Sequence, residues 1–305
     1  MVRLIPMIYR NTSYPSGIRP RIREIPAHFD KEPPSFISLD YSLHTEYAYH
    51  PRKFNSPACQ NLTHIINARD KNGIPRLWFN RQWTDEFVRF IRNFVGVQRP
   101  PKIIEIHPPF DDYMNIHGFI DLYKHFENQI KSIYPNVEIL IENRYGSQYS
   151  GGEFIVSKVD DLKTLVDLIK RHGLELRIAL DIPQLFSAHG LSIGRFSTYK
   201  IKSIFRQLYA IREYIMSIHL WGKCLGRNNR IVSHVGTFDS YFGGLKCQSI
   251  GTNPPTGNMI KRVFLEELYN LFDDGKERYF LPEVNNRSHL RSIVLDLINA
   301  GFKFV

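Results

Sequence analysis

Eight short apolar runs alternate with stretches of helical spacing along almost the whole 305-residue chain, and this alternation limits the fold more than any other feature. The runs are Val2–Tyr9, Phe36–Tyr41, Arg76–Asn80, Ile103–His107, Val137–Glu142, Leu176–Asp181, Ile215–Leu220 and Tyr279–Val284. Within them, Ile139-Leu140-Ile141 and Ile178-Ala179-Leu180 are continuous rather than alternating, the pattern of parallel strands buried on both faces. Between the runs, Thr84–Val95 sets Phe87, Phe90, Ile91 and Phe94 on one helical face. Val159–His172 does the same with Leu162, Leu165, Val166 and Ile169, and Gly173 stops it. Ile116–Ile133, Thr198–Tyr214, Met259–Phe272 and Ser288–Ala300 read as further helices. Such a series predicts the α/β class and one (β/α)8 TIM barrel domain over residues 1–305, with long mouth loops at 10–34, 42–58 and 221–258. An open doubly wound sheet is disfavoured, because no GxGxxG or P-loop follows an early strand.

Charge and cysteine content narrow the setting. Forty Lys and Arg stand against 30 Asp and Glu, a net charge of +10, and 43% of residues are hydrophobic, which excludes a disordered chain. The surplus concentrates at Arg195, Lys200, Lys202, Arg206, Arg212, Lys223, Arg227 and Arg230, against the single acid Glu213 in that stretch. It reads either as a solvated helix face beside a basic loop or as a contact for a phosphate-rich partner. Cys59, Cys224 and Cys247 form no CxxC pair, which points to a reducing compartment and gives no thiolate metal site. No apolar run approaches the ~20 residues that cross a bilayer, and Met1–Pro6 lacks the apolar core of a secretory signal. A cytoplasmic protein without membrane contact, monomeric rather than assembled, is the expectation.

In a barrel of this class the C-terminal strand ends converge on one mouth. Five consecutive strands finish there in a His or a carboxylate: His107, Glu142, Asp181, His219 and Glu283. One such residue alone is commonly a cap or a hydrogen-bonded core group. Five together form a mixed donor set suited to Zn²⁺, Mn²⁺ or a similar divalent ion. Buried carboxylates repel one another unless a cation neutralises them, and a divalent ion also acidifies bound water or polarises a phosphoryl or carbonyl oxygen. Glu142, on the middle strand of the five, is best placed to bridge two ions.

These residues resemble the endonuclease IV (family 2 AP endonuclease) branch of the xylose isomerase-like TIM barrels. The likeness is carried by Ile141-Glu142-Asn143-Arg144-Tyr145-Gly146-Ser147-Gln148 with Gly151-Gly152, and by Asp181-Ile182-Pro183-Gln184-Leu185-Phe186-Ser187-Ala188-His189-Gly190. His219-Leu220 followed by His234 completes it, over residues 75–290. The resemblance implies hydrolysis of abasic sites in DNA, hence DNA repair, with a family pattern of three zinc ions. Glu142, Asp181, His219 and Glu283 match the ligands of one ion, and the same four resemble the single metal site of related sugar isomerases and epimerases. His107 with Glu142 matches part of a second site, whose other His should end strand three, where Asn80 stands. The third is depleted: its strand-six His is Gln184, the Asp expected two residues before His234 is Val232, and only His234 remains. One or two ions are therefore expected.

The resulting expectation is a divalent-metal-dependent phosphodiester hydrolase acting on DNA, with Glu142 and Glu283 as catalytic carboxylates. Substrate contacts are expected from Asn80, Tyr145, Gln184, Trp221, Lys223, Arg227 and Arg230. Tyr145, Tyr149, Phe186, Trp221, Phe238 and Tyr241 either stack on bases or pack the long loops. The alternative is a metal-dependent sugar isomerase or epimerase in which Glu142 and Glu283 exchange a proton at carbon; a third is a catalytically reduced, nucleic-acid-binding barrel. Phe238–Gly244 reads as a lid or substrate loop, Asp239 as a candidate replacement ligand, and His44, His50 and His189 as further site residues or, in the plainer reading, as structural.

Overall fold

A computed structural model describes residues 1–10, 12–37, 40–146, 152–247 and 255–305. Its strands are β1 (Arg3–Ile8), β2 (Ile22–Ala27), β3 (Asp40–Thr45), β4 (Ile103–Ile106), β5 (Glu138–Glu142), β6 (Arg177–Asp181), β7 (Ile215–Leu220), β8 (Lys223–Leu225), β9 (Ile231–Ser233), β10 (Glu277–Pro282) and β11 (Lys303–Phe304). The helices are α1 (Thr63–Asn67), α2 (Arg81–Val95), α3 (Ile116–Ile133), α4 (Val159–His172), α5 (Ile182–Ala188), α6 (Thr198–Leu208), α7 (Phe238–Gly243), α8 (Pro255–Phe272) and α9 (Arg287–Asn299). β1 to β7 are neighbours in order, β10 lies beside β7, and β10 pairs back on β1 in parallel register, Arg3 opposite Glu277. Eight parallel strands thus close into a (β/α)8 barrel, as the alternation of runs predicts. β8 and β9 form a separate antiparallel hairpin, with Cys224 opposite Val232.

Two of the expected strands are placed differently. Arg76–Asn80 is a turn, and the barrel takes Ile22–Ala27 as its second strand instead. The Ile-Arg-Glu-Ile-Pro-Ala sequence of β2 buries only its two end residues, so it carries no alternation to read. Leu77 and Trp78 are apolar because they fill the core, not because they are extended. Trp78 has φ +58°, and its ring packs edge-on against Phe87, Phe119 and Phe126 at 5.6, 5.2 and 5.3 Å. Strand three begins at Asp40, later than the expected Phe36–Tyr41, so its last residues are His44 and Thr45. The expected helix 198–214 is α6 followed by a tighter 3-10 stretch, Tyr209–Tyr214.

By their internal contacts the described residues fall into two compact units, Met1–Arg23 with Leu180–Val305, and Glu24–Ala179. In the second, α2 and α3 pack through the aromatic cluster around Trp78, while α4 ends at Gly173, whose φ of +63° suits glycine. In the first, Arg278 on β10 is fully buried and tied to Asp274. The loop expected over 221–258 carries the β8–β9 hairpin and α7, which starts from a Thr237–Ser240 capping box. No helix among the described residues is long and apolar enough to cross a membrane.

Cys224 and Cys247 form a disulfide, and Cys59 is a buried free thiol. From the sequence no pairing among the three cysteines is expected, and the fold brings Cys224 and Cys247 together. Sparse cysteines say nothing of pairing once folding brings two of them together. The bond closes a segment of 23 residues in sequence separation that contains β9, His234 and α7. Cys247→Ser, or reduction, is expected to lower stability by about 3 kcal/mol, since the open loop gains entropy in the unfolded chain. Melting with and without reductant, wild type against variant, measures this; no difference would mean the segment is held by packing alone.

Candidate metal centre

In the Glu24–Ala179 unit, four buried donors on three adjacent strands come together: His44, Glu105, His107 and Glu142, with ligand atoms all within 4.8 Å of one another. Strand register explains it. His44 on β3 stands opposite Glu105 on β4, and Glu105 and His107 are two apart on one strand and so point to the same side. Ile106 pairs with Ile141, which puts His107 level with Glu142 at the end of β5. His107 Nε2 lies 3.0 Å from Glu142 Oε2, and His44 Nε2 lies 3.4 Å from both Glu105 Oε1 and Glu142 Oε2. All four residues are between 0 and 9% exposed.

The electrostatics call for a cation here. Burial is the largest effect on His107 and lowers its pKa to about 3, so the ring is neutral. Its Nδ1 is 3.2 Å from the Glu46 carbonyl and its Nε2 is 3.0 Å from the Glu142 carboxylate, and the single ring hydrogen can serve only one of these two acceptors. A metal on Nε2 would leave the hydrogen to the Glu46 carbonyl. An imidazole held by its far nitrogen on a backbone carbonyl is the usual outer arrangement of a metal-ligating histidine. For His44, burial alone would lower the pKa, but Glu142, Glu24 and Glu105 overcome it and raise it to about 9. Burial also works against the charge of Glu142. Contacts with His107 and His44 and the nearby Arg144 nevertheless hold its pKa well below the ordinary carboxylate value. Arg144 Nη1 donates to Glu142 Oε1 at 3.1 Å, and its guanidinium lies over the rings of Tyr47, Tyr145 and Phe154. His28 adds a ring nitrogen 3.5 Å from His44 Nδ1.

His44 and Glu105 are not among the expected ligands, and the sequence leaves His44 between a site role and a structural one; the fold brings both into the cluster. Asn80 instead caps α2, its side chain accepting from the Trp83 amide at 2.8 Å. The signal for Glu105 was an acid in the middle of an Ile-rich strand. His50 lies beside Arg52 at 3.1 Å, and His189 ends α5. Tyr145 is half-buried beside Arg144, while Ser147, Gln148, Tyr149 and Gly151 of the strand-five segment lie outside the described residues.

The other expected ligands belong to the unit formed by Met1–Arg23 and Leu180–Val305. Glu283 follows β10 directly, and its carboxylate lies 3.2 Å from His219 Nδ1 and 3.3 Å from His234 Nδ1. His234 also meets the Glu283 carbonyl at 3.0 Å and stacks on Trp221 with ring centroids 4.3 Å apart. Asp181 caps α5 by accepting from the Gln184 amide at 2.8 Å, with Pro183 in the first turn. Its second oxygen accepts from Gln184 Nε2 at 2.7 Å and Trp221 Nε1 at 2.9 Å. Lys223 is buried against Ser187, and Arg227 and Arg230 are exposed on the hairpin turn. Phe186, Trp221, Phe238 and Tyr241 are buried, in line with the packing reading of these aromatics. Asp239 is not a replacement ligand: it pairs with Lys261 at 2.6 Å. Lys200, Lys202 and Arg206 lie on the exposed face of α6, the solvated-face reading of that stretch.

No family model matches the sequence, and no curated protein does. Among solved structures, the chain is similar to AsfvAP:AG (14% identity, 86% of this chain and 73% of that chain, TM-score 0.46). It is similar to a family 2 AP endonuclease from Brucella melitensis (10%, 70% and 65%, TM-score 0.38). A xylose isomerase domain protein from Alicyclobacillus acidocaldarius is also similar (12%, 98% and 98%, TM-score 0.43).

Proposed function

We propose that the protein is a divalent-metal-dependent enzyme that hydrolyses phosphodiester bonds in DNA at abasic sites. The observation that supports metal dependence is the four-donor cluster, in which two buried carboxylates and two imidazoles face one point. His44, Glu105, His107 and Glu142 would hold the ion, and two imidazoles with two carboxylates suit Zn²⁺ or Mn²⁺. When bound, the ion supplies a Lewis acid for the phosphoryl group and a more acidic water. Glu142 would hold the ion and would be placed to take a proton from an attacking water, with Arg144 fixing its second oxygen. Asp181, His219, His234 and Glu283 are proposed as further metal-site residues, and Glu283 as the second catalytic carboxylate.

A nucleic-acid substrate is supported by the net charge of +10 and by the hairpin. Arg227 and Arg230 are exposed and make no carboxylate pair among the described residues, beside Ile231 and Val232 at 47% and 37% exposure. Arg227→Ala with Arg230→Ala is expected to weaken DNA binding and to reduce the slope of log affinity against log salt by about one per lost phosphate contact. An unchanged salt slope would remove these residues from the contact surface.

The deciding assay is nicking of a duplex carrying one abasic site, with the metal content of the purified protein measured alongside. Nicking that EDTA abolishes and a divalent metal restores is the expected result. Absence of nicking with every divalent metal tried would defeat the hydrolase reading. Metal-dependent turnover of an aldose or ketose would establish the second reading, a sugar isomerase or epimerase. In that reading Glu142 and Glu283 would exchange the proton at carbon.

A further inference from the structure

Lys223 opens β8 and is only 6% exposed. Its Nζ donates to Ser187 Oγ at 2.8 Å and faces the ring centroids of Trp221 at 5.0 Å and Tyr241 at 5.4 Å. Among the described residues it makes no ion pair. A buried ammonium without a paired carboxylate is costly, and structural lysines are rarely left so. Burial lowers its pKa to about 8, with the charge of Asp181 opposing, so a fraction is free amine near neutral pH. The second group of note is the Tyr241 hydroxyl, fully buried and without a hydrogen-bond partner among the described residues. Burial, followed by Asp181, raises its pKa well above the ordinary value, so it remains a proton donor.

Two ligand chemistries fit an amine beside a free hydroxyl: an anion, or a carbonyl group. Asp181 acts electrostatically on both Lys223 and Tyr241, and its negative charge opposes an anion held between them. A carbonyl is neutral, takes a nucleophile at carbon and a hydrogen bond at oxygen, and matches both groups.

We infer that Lys223 is an amine nucleophile that forms an imine with the aldehyde carbon of a sugar, with the Tyr241 hydroxyl hydrogen-bonding the aldehyde oxygen. The Lys223 nitrogen bonds to that carbon as the carbon–oxygen π bond breaks. One proton passes from nitrogen to oxygen to give the carbinolamine; the second nitrogen proton then follows, relayed by the Tyr241 hydroxyl, and the oxygen leaves as water as the carbon–nitrogen double bond forms. Water reverses each step, so no oxidant or reductant enters. The aldehyde is carried either by the ring-opened deoxyribose of an abasic nucleotide or by a free aldose phosphate. Only the first source rests on the function proposed above.

The test traps the imine by reduction. Full-length protein in EDTA is treated with borohydride in one arm with a duplex carrying one abasic site, and in the other with deoxyribose 5-phosphate. The expected result is a stable adduct that peptide mass spectrometry maps to Lys223, absent from Lys223→Arg and Lys223→Met. Tyr241→Phe should slow trapping on the order of tenfold or more without moving the modified residue. An adduct from the duplex alone, or from the free sugar alone, supports the inference and identifies the source. Mapping to other lysines, or no adduct in either arm, overturns it, and wild-type mapping decides even where a variant fails to fold. Metal-dependent nicking without a Lys223 adduct would leave the hydrolase reading standing; an adduct without nicking would remove that reading alone.

Discussion

Glu142→Ala is expected to abolish tight divalent-metal uptake, weakening it by more than ~100-fold, the upper range for losing even an outer partner of a metal ligand. Glu142 is the group on which the cluster converges: it touches His44 and His107 at 3.4 and 3.0 Å and is held by Arg144 at 3.1 Å. Without it, one carboxylate is lost from the donor set and the buried Arg144 guanidinium is left without its carboxylate partner beside the site, which opposes a cation. Nicking should fall with metal content. Glu142→Gln keeps the shape and removes the charge, so its loss of metal would place the effect on charge rather than packing. A pH dependence with a defined sign accompanies the wild type. His44, raised to about 9 after its carboxylate neighbours overcome burial, must lose its proton to bind a metal. Uptake therefore releases protons and tightens as pH rises toward that value. Titration calorimetry in buffers of different ionisation heat measures the proton release. Wild-type affinity in Glu142→Ala would move the metal site elsewhere.

The largest loss of stability is expected from Arg278→Ala, about 3–5 kcal/mol, or roughly 10 °C in melting temperature. The Arg278 side chain is fully buried. Its Nη atoms donate to Asp274 at 2.8 and 2.7 Å, its Nε to the Ile215 carbonyl at 2.9 Å, and its guanidinium covers Phe272 at 4.5 Å. Truncation leaves the Asp274 carboxylate with only the Lys276 amide, and takes the side-chain donor from the Ile215 carbonyl. The hydrogen bond from Arg278 is the main cause that holds Asp274 below the ordinary carboxylate pKa. A depressed folded pKa gives stability that is complete above the unfolded value and is lost as pH falls through the folded one. Melting temperature against pH should fall less steeply on the acid side in Arg278→Ala than in the wild type. Equal slopes would show that the pair does not control acid stability.

The parts of the fold legible in sequence are those whose burial is complete on both faces. Ile103–His107, Val137–Glu142, Leu176–Asp181 and Ile215–Leu220 fall on β4 to β7, because a doubly covered parallel strand must be apolar throughout. Ile116–Ile133 and Val159–His172 coincide with α3 and α4, whose apolar spacing and end signals agree. β2 was not legible, since a strand with Arg23, Glu24 and Pro26 between its buried ends has no period. Arg76–Asn80 misled for the opposite reason: its aromatic run is core-filling in a turn.

The strands β4 to β7, the helices α3 and α4, and the presence of a His or a carboxylate at successive strand ends were determined by the sequence alone. All are local properties, set by side-chain periods of two and 3.6 residues. Which donors meet was decided only by the tertiary structure. His44 joins Glu105, His107 and Glu142 because parallel register sets β3, β4 and β5 level, and register depends on strand partners far apart in sequence. The same holds for Cys224 with Cys247 and for Lys223 beside Tyr241. Each pair is made by the folding back of the segment after β7, and nothing in the spacing of those residues announces it.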